Sequence, residues 1–170
     1  MDTQSLSAKW AAKWPDQLLI NRLAVDNPRV RFYTLDDGKR YATSENERRI
    51  ILDRHNALLA ELASDENLIV ITSWWNKQDK IDADSILWRT VNDEDVDEAK
   101  LYVKVIKWEP GVLDKLLADI ADDVVAGVII APESLDWLYL PYDGGADVYG
   151  NKAEILHPLR EKFNGWVATE

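Results

Sequence analysis

Apolar residues change period several times along the chain, and each change marks an element. Between about residues 4 and 14, Trp10 and Trp14 recur four apart behind Lys9 and Lys13, a helical repeat that puts both tryptophans on one face. Pro15 stops that helix or kinks it. Leu19, Ile20 and Leu23 resume helical spacing before Asn27-Pro28 marks a turn. Residues 30–35 and 39–43 are β-prone and flank Asp36-Asp37-Gly38, which predicts a β-hairpin. Ser44-Glu45-Asn46-Glu47 reads as a capping box: Ser44 accepts from the amide three residues on, and Glu47 reaches back. The helix it opens extends to about Ala63, with Ile51, Leu58 and Leu62 in its apolar stripe.

The second half is richer in strands. Residues 67–73 form a mostly buried strand, followed by Trp74-Trp75-Asn76 and a polar loop. Residues 86–91 make another strand, and the acidic residues 92–98 a turn or short loop. From Lys100 to Trp108, Leu101, Val103 and Val105 alternate with Lys100, Tyr102 and Lys104, the pattern of a half-buried strand. Pro110 suits the first position of a helix whose core face is Leu113, Leu116, Leu117 and Ile120. Residues 124–131 read as a central strand, and 137–140 and 147–149 as two more. Asn151 is placed to cap a turn, and Pro158 to begin the last helix, where Ile155, Leu159, Phe163 and Trp166 align. The pattern predicts an α+β fold in a single domain, residues 1–170, with a mixed, mostly antiparallel sheet packed against helices. The 110–131 helix–strand unit is a candidate crossover. There is no internal repeat, low-complexity tract or linker.

A chain of 170 residues suits one domain with a sizeable core. No apolar run approaches membrane-spanning length, and the first residues have neither the basic nor the apolar stretch of a signal peptide. The chain has no cysteine, which excludes disulfides and thiolate chemistry and agrees with a cytoplasmic location. The net charge is -11 and uneven: residues 1–63 sum to +1 and residues 64–170 to -12. Such an acidic half repels nucleic-acid phosphates and speeds the encounter with a basic protein. Eight tryptophans against two phenylalanines point to large core anchors, with some left for a binding surface.

Catalytic signatures are lacking. There are two histidines. His55 lies on the stripe of Ile51, Leu58 and Leu62, where a histidine is most often a satisfied core residue. His157 precedes Pro158, with Glu154 and Glu161 as neighbours on a helix that the proline disturbs, so no metal site is expected. Asp143-Gly144-Gly145-Ala146-Asp147 lacks the alternating ligands of a calcium loop. It reads instead as a tight turn in which glycine supplies a positive φ and Asp147 holds the turn. Ser134 lacks a nucleophile-elbow context. No Walker sequence or dinucleotide fingerprint is present, and no cofactor is expected.

One stretch carries a resemblance. Pro141-Tyr142-Asp143, Gly145, Asp147-Val148, Asn151-Lys152, Pro158 and Phe163-Asn164-Gly165-Trp166 resemble the C-terminal signature of an uncharacterised bacterial family, a domain of unknown function. Many of its members resemble this chain but carry a longer turn, Tyr-Asp-Asp-Arg-Gly, whose arginine this chain lacks. Small acidic bacterial proteins of this sort resemble immunity proteins, which implies neutralisation of a toxin.

The leading expectation is a non-enzymatic acidic binding protein, an immunity-type inhibitor of a basic toxin. Asp93, Glu94, Asp95, Asp97 and Glu98 would steer the partner, and Trp74, Trp75 and Tyr142 would anchor it. One alternative is a small enzyme with a carboxylate site at the turn from Tyr142 to Asp147, Asp143 or Asp147 acting as base near His55. Another is a structural subunit of a homo-oligomer.

Overall fold

The computed structural model describes residues 2–19, 26–64, 66–73, 83–93 and 96–169. Helix α1 (Thr3–Lys13) begins where the Asp2 carboxylate accepts from the amides of Gln4 and Ser5, two donors that a helix start leaves open. It stops at Trp14, before Pro15, and a 3-10 turn follows at Asp16–Leu19. Ile20 and Leu23 of the expected second helical stretch lie outside the described residues. Helix α2 (Glu45–Ala63) opens as its sequence requires, with Ser44 Oγ accepting from the Glu47 amide at 3.2 Å. The Glu47 carboxylate reaches one residue further back than a capping box does, accepting from the Thr43 amide at 2.7 Å and from Lys39 Nζ at 2.7 Å. Ile51, His55, Leu58 and Leu62 are all buried on one face.

Among the described residues, seven strands form one open sheet: β1 (Arg29–Tyr33), β2 (Asn67–Ser73), β3 (Ile86–Asp93), β4 (Val96–Lys107), β5 (Ile129–Pro132), β6 (Trp137–Tyr142) and β7 (Gly145–Gly150). Their order is β1-β7-β6-β5-β2-β4-β3, and each neighbouring pair is antiparallel. β4 and β5 are both antiparallel to β2, so they run parallel to each other on either side of it. Helix α3 (Asp114–Ala121) makes the crossover between them. Helix α4 (His157–Lys162) follows the sheet, with Pro158 in its first turn.

Alternation along the strands separates two cores. One face of the sheet (Val30, Phe32, Leu68, Val70, Ile130, Tyr139, Val148) packs on Leu58, Leu59 and Leu62 of α2, Leu117 and Ile120 of α3, and Leu159 of α4. The other face (Ile69, Ile71, Leu101, Val103, Leu138, Tyr149) packs on Leu6, Trp10, Trp14 and Leu18. Of the described tryptophans, Trp10, Trp14, Trp88, Trp108 and Trp137 are buried, the role their size suits. Among the described residues, no helix is long and apolar enough to cross a membrane.

Several local expectations give way. Residues 39–43 are not a strand, and Asp36–Gly38 is a 3-10 turn rather than a hairpin loop. Its Asp37 and Gly38 do take φ of 56° and 68°, but β1 pairs with β7 instead. Pro110 does not start a helix: Gly111, at φ 87°, turns the chain first, and α3 begins at Asp114. The strand expected over 124–131 shortens to β5, because Asp123 and Gly127 are left-handed. Asn151 caps nothing; its side-chain amide donates to Asp136 Oδ1 at 2.8 Å. Of the acidic stretch expected as a turn or short loop, 92 and 93 belong to β3 and 96–98 to β4, while 94 and 95 lie outside the described residues.

Candidate functional site

The β6–β7 hairpin sets the geometry of the turn that the sequence singles out. Tyr142 pairs with Gly145 across it, and Asp143-Gly144 connect the strands. Neither glycine of the turn has a positive φ, so the conformational reason expected for them does not hold. Space is the reason at Gly145: a Cβ there would stand 1.9 Å from the Phe32 carbonyl oxygen of β1.

That close approach brings β1 alongside β7, with Arg31 opposite Asp147. Arg31 grips Asp147 with two bonds, Nε to Oδ1 at 2.7 Å and Nη2 to Oδ2 at 2.9 Å. Arg29 Nη1 lies 3.7 Å from the same carboxylate. Asp147 is only 4% exposed, so its charge depends on these arginines. Its hydrogen bonds raise the pKa of Arg31. The Arg31 guanidinium also lies 5.5 Å over the Tyr142 ring. Burial pushes the Tyr142 hydroxyl up to about 12.

Asp143 has a separate set of partners. Arg40 Nη2 donates to it at 2.6 Å and the Tyr41 hydroxyl at 2.7 Å. Partial burial works to raise this carboxyl, but the bonds from Arg40 and Tyr41 outweigh it and hold the group below the usual range. Residues 39–41 thus bind the hairpin tip through Arg40 and Tyr41 and the start of α2 through Lys39.

His55 is elsewhere. Its Nδ1 shares a 2.6 Å hydrogen bond with the Tyr139 hydroxyl, and both rings are fully buried between α2 and β6. Burial lowers the imidazole to about 4 and raises Tyr139 well above the ordinary tyrosine value. Tyr139 faces the α2 side of the sheet, whereas Asp147, two residues from Tyr149, faces the α1 side. The sheet therefore separates His55 from Asp147, one of the two carboxylates expected to act as base near it. Among the described residues, no group of three or more His, Cys, Asp or Glu could hold a metal ion.

The expected partner-binding residues also divide. Trp74, Trp75, Glu94 and Asp95 lie outside the described residues, as do the side chains of Asp93, Asp97 and Glu98. The backbone of Asp93, Asp97 and Glu98 belongs to the β3–β4 hairpin at one margin of the sheet. Tyr142 is on β6, with β5, β2 and β4 between it and β3. At about 4.8 Å per strand, that is roughly 19 Å. Tyr142 and the acidic run therefore do not form one patch.

Sequence reasoning missed Arg31, Arg40, Tyr41 and Tyr139. One signal was present: Arg29-Val30-Arg31-Phe32-Tyr33 places two arginines on one face of a strand, and such a face calls for a carboxylate opposite it.

No curated protein and no solved structure matches the chain. A family model, described as Domain of unknown function (DUF3885), matches residues 16–169, from the turn after α1 through the arginine-clamped hairpin to the tail. The chain belongs to that family.

Proposed function

We propose that this protein is a non-enzymatic acidic binding protein of the bacterial cytoplasm, an immunity-type inhibitor that neutralises a basic toxin. The observation that carries the reading is the position of the acidic run. Five of the six residues from 93 to 98 are Asp or Glu, and the three of them that the structure describes, Asp93, Asp97 and Glu98, have their backbone on the paired strands β3 and β4 at one margin of the sheet. Charge concentrated at a margin steers a basic partner more effectively than charge dispersed over the surface. The carboxylates of the alternative enzymatic site are already committed, Asp147 to Arg31 and Asp143 to Arg40 and Tyr41. The steering residues are Asp93, Glu94, Asp95, Asp97 and Glu98, with Trp74 and Trp75 as anchors.

The test uses basic proteins encoded beside this chain in its native genome. Association is followed by stopped-flow fluorescence for the wild type and for a variant carrying Asp93→Asn, Glu94→Gln, Asp95→Asn, Asp97→Asn and Glu98→Gln. For the wild type, the association rate should fall about tenfold or more between roughly 50 and 300 mM salt. The variant should associate slowly at every salt concentration. Equal association rates for the two proteins would refute the reading.

A further inference from the structure

We propose that Asn164 is a self-modification site, where deamidation to isoaspartate lengthens the main chain and releases the C-terminal tail from β1. This chemistry is independent of partner binding. Asn164-Gly165 is the single Asn-Gly pair in the chain. Asparagine is thermally labile, because the next backbone nitrogen can attack its side-chain carbonyl carbon. Glycine in the next position lacks the Cβ that would screen that nitrogen, and it frees the backbone to bring it close.

Both residues are exposed, in the 3-10 turn Asn164–Trp166 that follows α4. Among the described residues, nothing lies within 4 Å of the place where a Cβ would stand on Gly165, and no hydrogen bond holds the Asn164 side chain. Two other asparagines differ. Asn56 Nδ2 donates to the Leu52 carbonyl at 2.9 Å and to Asp114 at 2.7 Å, and Asn151 Nδ2 donates to Asp136 at 2.8 Å. The turn at Asn164 is lightly held. The Trp166 amide donates to the Phe163 carbonyl at 2.9 Å, and the Val167 amide to the Asn164 carbonyl at 3.3 Å, beyond the usual range. Local opening of this turn is enough to bring the Gly165 nitrogen to Asn164 Cγ.

Water is the only co-reactant. The Gly165 nitrogen loses its proton to water and attacks Asn164 Cγ. A cyclic succinimide forms, the Cγ–Nδ2 bond breaks, and Nδ2 leaves as ammonia after taking a proton from solvent. Water then opens the ring. Cleavage of the new bond to Cγ gives aspartate, and cleavage of the original peptide bond gives isoaspartate. In isoaspartate the main chain runs through Cβ and Cγ and is longer by a methylene. The carbonyl that accepted from the Val167 amide becomes part of a free carboxylate. Phe163, just before this point, is buried in the core. Just after it, Val167 bridges to Phe32 and the Ala168 amide donates to the Arg31 carbonyl at 2.9 Å. The register of the tail on β1 depends on the length of chain between these two anchors, so the extra methylene breaks it.

The test keeps the full chain warm at mildly alkaline pH for several days and follows conversion site by site by tryptic mapping, which releases residues 163–170 as one peptide. Asn164 should convert about tenfold or more faster than Asn56 or Asn151, whose amides must first give up hydrogen bonds. Gly165→Ala should slow it several-fold. Should that variant fold poorly, Asn164→Gln serves instead, because its longer side chain closes a ring slowly. In the isoaspartate form, separated by chromatography, hydrogen exchange of the Ala168 amide measured by NMR should quicken about tenfold as its bond to Arg31 is lost. Asn164→Asp adds the charge without lengthening the chain and should leave that amide protected. If Asn164 converts no faster than Asn56 and Asn151, the modification site is overturned. If it converts and the Ala168 amide stays protected in the isoaspartate form, release of the tail is overturned. Equal loss of protection in Asn164→Asp assigns the effect to charge and overturns the lengthening mechanism.

Discussion

His55 shows how one buried side chain ties stability to pH. Its imidazole is sealed between α2 and β6, and burial lowers it from 6.5 to about 4. Above pH 6.5 the ring is neutral in the folded and the unfolded chain, and its full contribution to stability is present. Between about 6.5 and 4 the unfolded chain takes up a proton that the folded one refuses, so stability falls as the pH falls. Complete passage through that window costs about 3 kcal/mol, with a slope approaching about 1.4 kcal/mol per pH unit. Glu47, held at about 2 by its bonds from Lys39 and the Thr43 amide, loses its contribution at lower pH, so the His55 window stands apart from it. Urea unfolding between pH 7.5 and 4.5 should show the slope, and His55→Gln should flatten it. Ring signals of His55 that titrate near 6.5 in the folded protein would sink the idea.

Among elements, the docking of β1 on β7 depends on a position that can hold no side chain. A methyl group at Gly145 would press into the Phe32 carbonyl, which belongs to the β1 backbone and cannot rotate aside. Gly145→Ala should therefore destabilise by about 3 kcal/mol or more, at or above the usual range for overpacking. Gly165→Ala, where nothing lies within 4 Å, should stay within about 0.5 kcal/mol. Chemical denaturation of the two variants checks the pair, and equal losses would show that β1 adjusts. The same docking explains what the sequence could and could not reveal. The start and buried stripe of α2 were legible because Ser44, Glu47, Ile51, Leu58 and Leu62 act within one helix. The strands β2, β4, β6 and β7 were legible from their alternation or apolar runs. The hairpin expected at residues 36–38 fails because Lys39, Arg40 and Tyr41 have stronger engagements with Glu47 and Asp143, the latter more than 100 residues away. Similarly, Asp143 and Asp147 stood out in the sequence, but the arginines that neutralise them lie on a distant segment. Local spacing carries no record of such pairings.

For the whole molecule, the two edges of the sheet imply two states of protection. β1 is closed by residues 167 and 168, and β3 has no outer strand among the described residues. If the tail acts as a guard, removing residues 167–170 should expose the β1 backbone while leaving the sheet itself formed, because Val30 and Phe32 remain packed in the core. An exposed edge next to a net acidic surface should associate weakly at low salt and more strongly as salt screens the repulsion. Sedimentation velocity should show the shortened chain forming larger species as salt rises from about 50 to 500 mM, while the full chain changes less. Leu87→Lys in the shortened chain separates the edges: association through β1 alone would persist, whereas association that joins β1 of one copy to β3 of another would disappear. A shortened chain that sediments like the full one at every salt concentration would show that the tail is not what keeps β1 from pairing. The guarding role would then pass to Arg29 and Arg31, whose charges line that strand beside Asp147.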